Sequence, residues 1–182
     1  MTVLPSNSNE DRLARIFSDC AEEMLADLGV QATRLMSASQ PAPTDEALGA
    51  FVCFGNAELH GCLTLQAPRK LLHFLNPVDQ TSPLSDLDDW ACEMVNQVVG
   101  RFRNRVAAYA VKLVFGVPLS LLSQAPQFST GFRLAPARIS FTVDNMALDY
   151  WLELETEPDF WLAESPLEDV EAALKEGTLV LF

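Results

Sequence analysis

The chain has 182 residues, 49% of them hydrophobic, with 25 acidic against 12 basic side chains and a formal net charge of -13. That length suits one domain with a sizeable core, and the apolar fraction argues against disorder. So acidic a surface repels nucleic-acid phosphates and anionic membrane leaflets, which sets both aside as partners.

No apolar stretch reaches the length of a membrane span, and the N-terminus lacks a signal-peptide pattern, so a cytoplasmic protein is expected. Cys20, Cys53, Cys62 and Cys92 form no CxxC pair and lie in apolar surroundings. That pattern reads as reduced core cysteines and gives no reason to expect a metal site.

From Asn9, Leu13, Ile16, Phe17, Cys20, Met24, Leu25 and Leu28 recur at spacings of three and four, which predicts an amphipathic helix stopped by Gly29. Residues 37–49, with Pro41 and Pro43, read as a loop. Two short apolar runs, 50–54 and 62–66, flank a polar, glycine-bounded segment that includes His60 and predict an antiparallel hairpin. Thr64 and Gln66 give its second strand one wet face, and Pro68 ends it. Arg69 to Leu75 is predicted as a short helix with Leu71, Leu72 and Leu75 inward.

A long central helix is predicted over roughly 84–114. Leu87, Ala91, Met94, Val95, Val98, Phe102, Val106 and Tyr109 fall on one broad face at 100° per residue. Asp86, Asp89, Glu93, Asn96, Gln97, Gly100, Arg103 and Asn104 gather on the other. Ser85 can cap the helix, with acids in its first turn and arginines toward its end. Gly100 is the anomaly, because a mid-helix glycine costs about 1 kcal/mol relative to alanine. Either another backbone approaches closely over it, or it relieves crowding within this chain.

Beyond Gly116-Val117-Pro118, residues 119–122 read as a strand and a loop follows. Residues 137–143 and 148–154 alternate cleanly around Asp144-Asn145-Met146 and predict a hairpin. After Glu155 the composition turns acidic. Ser165-Pro166-Leu167-Glu168 opens a predicted short helix that Gly177 can stop. The sum is an α+β domain: an antiparallel sheet covered on one face by two long helices, residues 1–155, with an acidic C-terminal extension, residues 156–182, docked on it.

The central helix spells Asp89-x-x-x-Glu93-x-x-Asn96, then Gly100, with Pro118 after the helix. Here the sequence resembles the CheX/CheC-type chemotaxis phosphatases, over roughly residues 9–155. Its single ExxN is similar to the single-site CheX arrangement. The resemblance implies hydrolysis of the aspartyl phosphate on a CheY-like response regulator. It implies that Asn96 orients the attacking water and that Glu93 pairs with the regulator's lysine. Asp89, Gln97, Gly100 and Arg103 would line the docking face; the family commonly carries a lysine where Arg103 stands. The regulator would bring its own Mg²⁺, so no cofactor is expected in this chain, and a homodimer is implied. The competing expectation is a non-catalytic module of the same fold that binds a regulator.

Overall fold

The computed structural model describes residues 9–35, 47–76, 86–122 and 137–167. The expected loops between these stretches, the Ser85 cap and the body of the tail helix lie outside them. In chain order the elements are α1 (Asn9–Asp27), β1 (Thr33–Leu35), β2 (Ala47–Gly55), β3 (Leu59–Pro68), α2 (Arg69–Leu75), α3 (Asp86–Ala107), β4 (Val114–Phe115), β5 (Leu119–Leu122), β6 (Ala137–Val143) and β7 (Met146–Thr156).

The strands form one antiparallel sheet in the order β1-β6-β7-β3-β2-β4, with β5 also paired to β2. Alternation decides its two faces. Leu48, Ala50, Val52 and Phe54 of β2 point inward, as do Leu59, Leu63, Leu65 and Ala67 of β3 and Leu148, Tyr150, Leu152 and Leu154 of β7. The apolar stripes of α1 and α3 pack on that side.

Aromatic rings tie the two layers. Phe17 of α1 meets Phe102 of α3 and Tyr150 of β7 edge-on, each at 5.8 Å between centroids. Phe102 also meets Phe54 of β2 at 5.8 Å, and Tyr150 meets Phe141 of β6 at 6.3 Å. Burying one such ring is worth about 1.5–3 kcal/mol, and a well-angled aromatic pair adds about 0.5–1.5 kcal/mol. At the surface Arg101 pairs with Asp27 at 2.7 Å, and Arg105 grips both oxygens of Glu23 at 2.7 and 2.8 Å. The crossed order of these pairs makes α1 and α3 antiparallel.

Both long helices stop by the same device. In α1, Gly29 adopts φ +73°, Val30 N–H donates to Leu25 O and Gly29 N–H to Ala26 O. In α3, Val111 N–H donates to Val106 O and Ala110 N–H to Ala107 O, but the left-handed position is held by Ala110 at φ 68°. The central helix therefore ends at Ala107, several residues short of the sequence expectation. The apolar run beyond it changes period: Val111 and Leu113 are buried while Lys112 and Val114 are exposed. That two-residue alternation is a strand pattern, and it leads into β4 on the edge of β2.

Other boundaries moved too. β2 begins at Ala47, inside the expected loop, because Leu48 reaches the core. His60 is not in a turn but pairs with Gly55 in the ladder. The tighter turn beyond it is held by Asn56, whose Oδ1 accepts from Glu58 and Leu59 N–H, both at 2.8 Å. Met146 joins β7, leaving Asp144 and Asn145 as a two-residue turn with φ of 47° and 59°. β1 carries no alternating signal of its own and takes its conformation from β6.

The outer sheet face is polar but not uniformly wet. Thr64, Ser140, Asp149 and Glu153 are all buried there. Arg138 forks onto Asp149 at 3.0 and 3.2 Å and stacks over Trp151, 5.4 Å from the ring centre. Thr64 lies between two large side chains, Phe51 on one neighbouring strand and Trp151 on the other.

Past β7, residues 157–167 run as a strap over the ends of the two long helices. Arg12 donates to the carbonyls of Leu162, Ala163 and Glu164 and lies over Tyr109. Leu167 N–H donates to Ala108 O at 2.7 Å. Phe160, Leu162 and Ala163 are buried beneath it, and Trp161 faces out.

A residue with a Cβ in the left-handed region costs about 1–2 kcal/mol relative to glycine, partly offset by the freedom glycine loses on folding. Ala110→Gly is expected to stabilise the fold by about 0.5–1 kcal/mol. Urea midpoints of the two proteins at equal slope check this.

Candidate functional site

The exposed side of α3 is set by what its other side buries. With Phe102, Val98, Met94 and Ala91 fully buried, the opposite arc of roughly 120° must face away. That arc holds Asp89, Glu93, Asn96, Gln97, Gly100 and Arg103. Glu93 and Asn96, one turn apart, are both exposed, so their tips are open to an incoming molecule. Asp89 is exposed one turn before Glu93.

Gln97 behaves differently from the expectation of a free docking residue. Its Nε2 donates to Glu93 Oε1 at 2.9 Å. The i, i+4 spacing permits this bond, which holds one carboxylate oxygen while leaving the other outward. Arg103 is only partly exposed, with its Nε enclosed and without a hydrogen-bond partner. Its stem packs at the margin of the arc rather than at its centre. The neighbouring arginines on the helix, Arg101 and Arg105, are spent on α1. Around Glu93 the arc is thus acidic or neutral, with Arg103 at its margin and Arg101 and Arg105 turned toward α1.

The Gly100 question resolves in part. A Cβ placed there would find nothing within 4 Å among the described residues, so no crowding among them requires glycine. Gly61 shows the contrast, since a Cβ there would meet the Phe54 ring at 2.5 Å. That leaves the close approach of another backbone as the remaining sequence explanation for Gly100.

The arc offers hydrogen bonding and two carboxylates, Asp89 and Glu93, but no activated nucleophile. Burial, and then Asp89 and Asp88, push the Cys92 thiol up, away from the reactive thiolate. Among the described residues no group of three or more His, Cys, Asp or Glu is placed to hold a metal ion. No helix among them is long and apolar enough to cross a membrane. What such an arc can do is present a carboxamide and an oriented carboxylate to a partner that brings the rest of the chemistry.

No family model and no curated protein matches the sequence. Solved structures do match the fold. Chemotaxis protein CheX from Vibrio vulnificus superposes with a TM-score of 0.68 at 10% identity, over 82% of this chain and 100% of that one. CheX from Desulfovibrio desulfuricans gives 0.65 at 14% identity, over 79% and 99%.

The fold is that of the CheX/CheC-type chemotaxis proteins.

A further match within this CheX/CheC-like set is CheX of Borrelia burgdorferi, solved in a complex with CheY, BeF3 and Mg²⁺. It gives a TM-score of 0.58 at 11% identity, over 78% of this chain and 96% of that one. The antiparallel sheet with its helices is thus the CheX/CheC-like architecture that the sequence resemblance implied.

If Gly100 serves only a visitor, the isolated protein does better without it. Gly100→Ala is expected to raise stability by about 1 kcal/mol, the ordinary helix-interior difference. Thermal unfolding monitored by circular dichroism measures it.

Proposed function

We propose that this chain is a phosphatase for the aspartyl phosphate of a CheY-like response regulator, working through Glu93 and Asn96. The observation that carries the reading is the pair itself. A carboxylate and a carboxamide stand one turn apart on the open side of a rigid helix, in a CheX/CheC-like fold. A CheX of the same fold has been solved with CheY and Mg²⁺, which is the kind of partner this arc suits.

The chemistry asks little of the chain. Phosphoryl transfer passes through a loose transition state, so holding a water in line matters more than strong base catalysis. The Asn96 carboxamide can both accept from and donate to that water without changing charge. Glu93, steadied by Gln97, forms a charge-assisted bond to a lysine of the regulator and fixes its register. The open space over Gly100 admits the regulator's loops against the helix backbone. Mg²⁺ and the phosphorylated aspartate come with the regulator, and this chain contributes no metal ligand. A homodimer and a cytoplasmic location complete the reading.

An acidic protein gains little from long-range steering toward an acidic regulator, so affinity rests on short-range contacts and is modest. A catalyst must also release its product, and modest affinity allows turnover.

Substoichiometric protein mixed with excess phosphorylated regulator is expected to discharge it. Asn96→Ala should slow that discharge about tenfold to a thousandfold while binding persists, since orientation alone can be worth several kcal/mol. Glu93→Gln should weaken binding, by about 1.5–3 kcal/mol for a lost charged hydrogen bond. A phosphorylated regulator that binds but decays at its spontaneous rate would instead identify a non-catalytic binding module.

A further inference from the structure

Cys53 and Cys62 sit opposite each other on the outer face of the sheet, at the β2–β3 pairing 53↔62, with their sulfurs 3.7 Å apart. The ladder fixes what kind of pair this is. Asn56 N–H donates to Leu59 O across the same hairpin, so bonded pairs fall at 56/59 and 54/61, and 53/62 is non-bonded. The other side of β2 agrees: the Cys53 carbonyl accepts from Gly116 N–H at 2.9 Å, pointing toward β4 rather than β3.

Non-bonded antiparallel pairs bring Cα atoms to about 4.5 Å and side chains closest together. That lies at the near end of the disulfide range, and the sulfurs need to close by about 1.7 Å to reach bonding distance. Side-chain rotation can supply this without moving a strand.

The two thiols are unequal. Cys53 is exposed, whereas Cys62 is 2% exposed. Burial, followed by Cys53 beside it, pushes the Cys62 thiol up to about 12. The other cysteines offer no competing pair: Cys20 is fully buried with its thiol also pushed up to about 12, and Cys92 is partly covered on α3.

We propose that Cys53 and Cys62 form a redox pair that peroxide-class oxidants convert to a cross-strand disulfide. The Cys53 thiolate attacks one peroxide oxygen; the S–O bond forms, the O–O bond breaks and hydroxide leaves, taking up the proton the thiol released to become water and leaving a sulfenic acid. The Cys62 sulfur, its proton passing to the departing hydroxyl, then attacks the Cys53 sulfur; the S–S bond forms, the S–O bond breaks and a second water leaves. The two sulfurs together lose two electrons and the peroxide gains them. Conversion of Cys53 to a neutral sulfenic acid also removes the neighbouring thiolate's repulsion, so Cys62 ionises more easily at the step that needs it. A reducing cell returns the pair to thiols, which makes the change reversible. The site is remote from Glu93 and Asn96, on the opposite face of the sheet from α3, and does not depend on the phosphatase reading.

The test treats the purified full-length chain with hydrogen peroxide, counts free thiols and maps peptides without reduction. The wild type is expected to lose two thiols together, gain an intrachain Cys53–Cys62 link, fall in mass by two hydrogen atoms and recover fully in dithiothreitol. Cys53→Ser should slow thiol loss at least about tenfold, because the exposed member is gone. Cys62→Ala should leave Cys53 as a sulfenic acid that dimedone captures; if that variant fails to fold, the wild-type peptide map decides alone. Thiols that persist in the wild type, a link between two chains, or Cys53 oxidised further while Cys62 stays free would each overturn the proposal.

Discussion

Phe102 is where the two layers of this protein are held in register. Its ring touches Phe17 on the neighbouring helix and Phe54 on the sheet, and through Phe17 it joins Tyr150 and Phe141. A helix has one rotational freedom about its axis that hydrogen bonds do not fix. Packing fixes it, and with it the direction of every residue on the far side. Glu93 and Asn96 face outward because Phe102, Val98 and Met94 cannot. An isolated helix with the same sequence would carry the same spacing but not the same aim.

The electrostatics follow from the same arrangement. α3 has arginines in its second half, but two of them reach sideways to Asp27 and Glu23 on α1. Surface pairs of this sort are each worth only about 0–1 kcal/mol, so their contribution to stability is small. Their effect on the exposed arc is larger. They turn cations toward α1, and among the described residues the Glu93 carboxylate is bonded by the neutral amide of Gln97 rather than by an arginine. A carboxylate kept apart from arginine remains available to a cation brought from outside.

Much of this was legible in the amino-acid order. The three-and-four spacing in 13–28 and 87–106 marks buried stripes that the structure reproduces, and Gly29 stops α1 as its position suggests. The two hairpins follow from alternation plus turn residues. What the sequence hides is of two kinds. Ala110 in a left-handed conformation gives no residue-type signal, so the helix reads as longer than it is. β1 and β4 are three and two residues long and exist only because a neighbouring strand offers hydrogen bonds. At the candidate site, the spacing located Glu93, Asn96 and Gly100. It did not distinguish Gln97 bonded to Glu93 from Gln97 free, although i, i+4 geometry allows the bond. Nor could four scattered cysteines, read as core, announce that two of them share a ladder position with one thiol in water.

The strap from 157 to 167 has a geometric implication for the whole molecule. Its final described grip is at Ala108, just past the far end of α3, about 18 Å along the helix from Asn96. Residues after 167 therefore start from an anchorage past the C-terminal end of the rod, whereas Glu93 and Asn96 sit near its middle. A polypeptide joined there, whether the native extension or an appended reporter, is leashed well clear of Asn96 at its root. Crowding at Glu93 and Asn96 would then depend on the leash's length rather than its point of attachment.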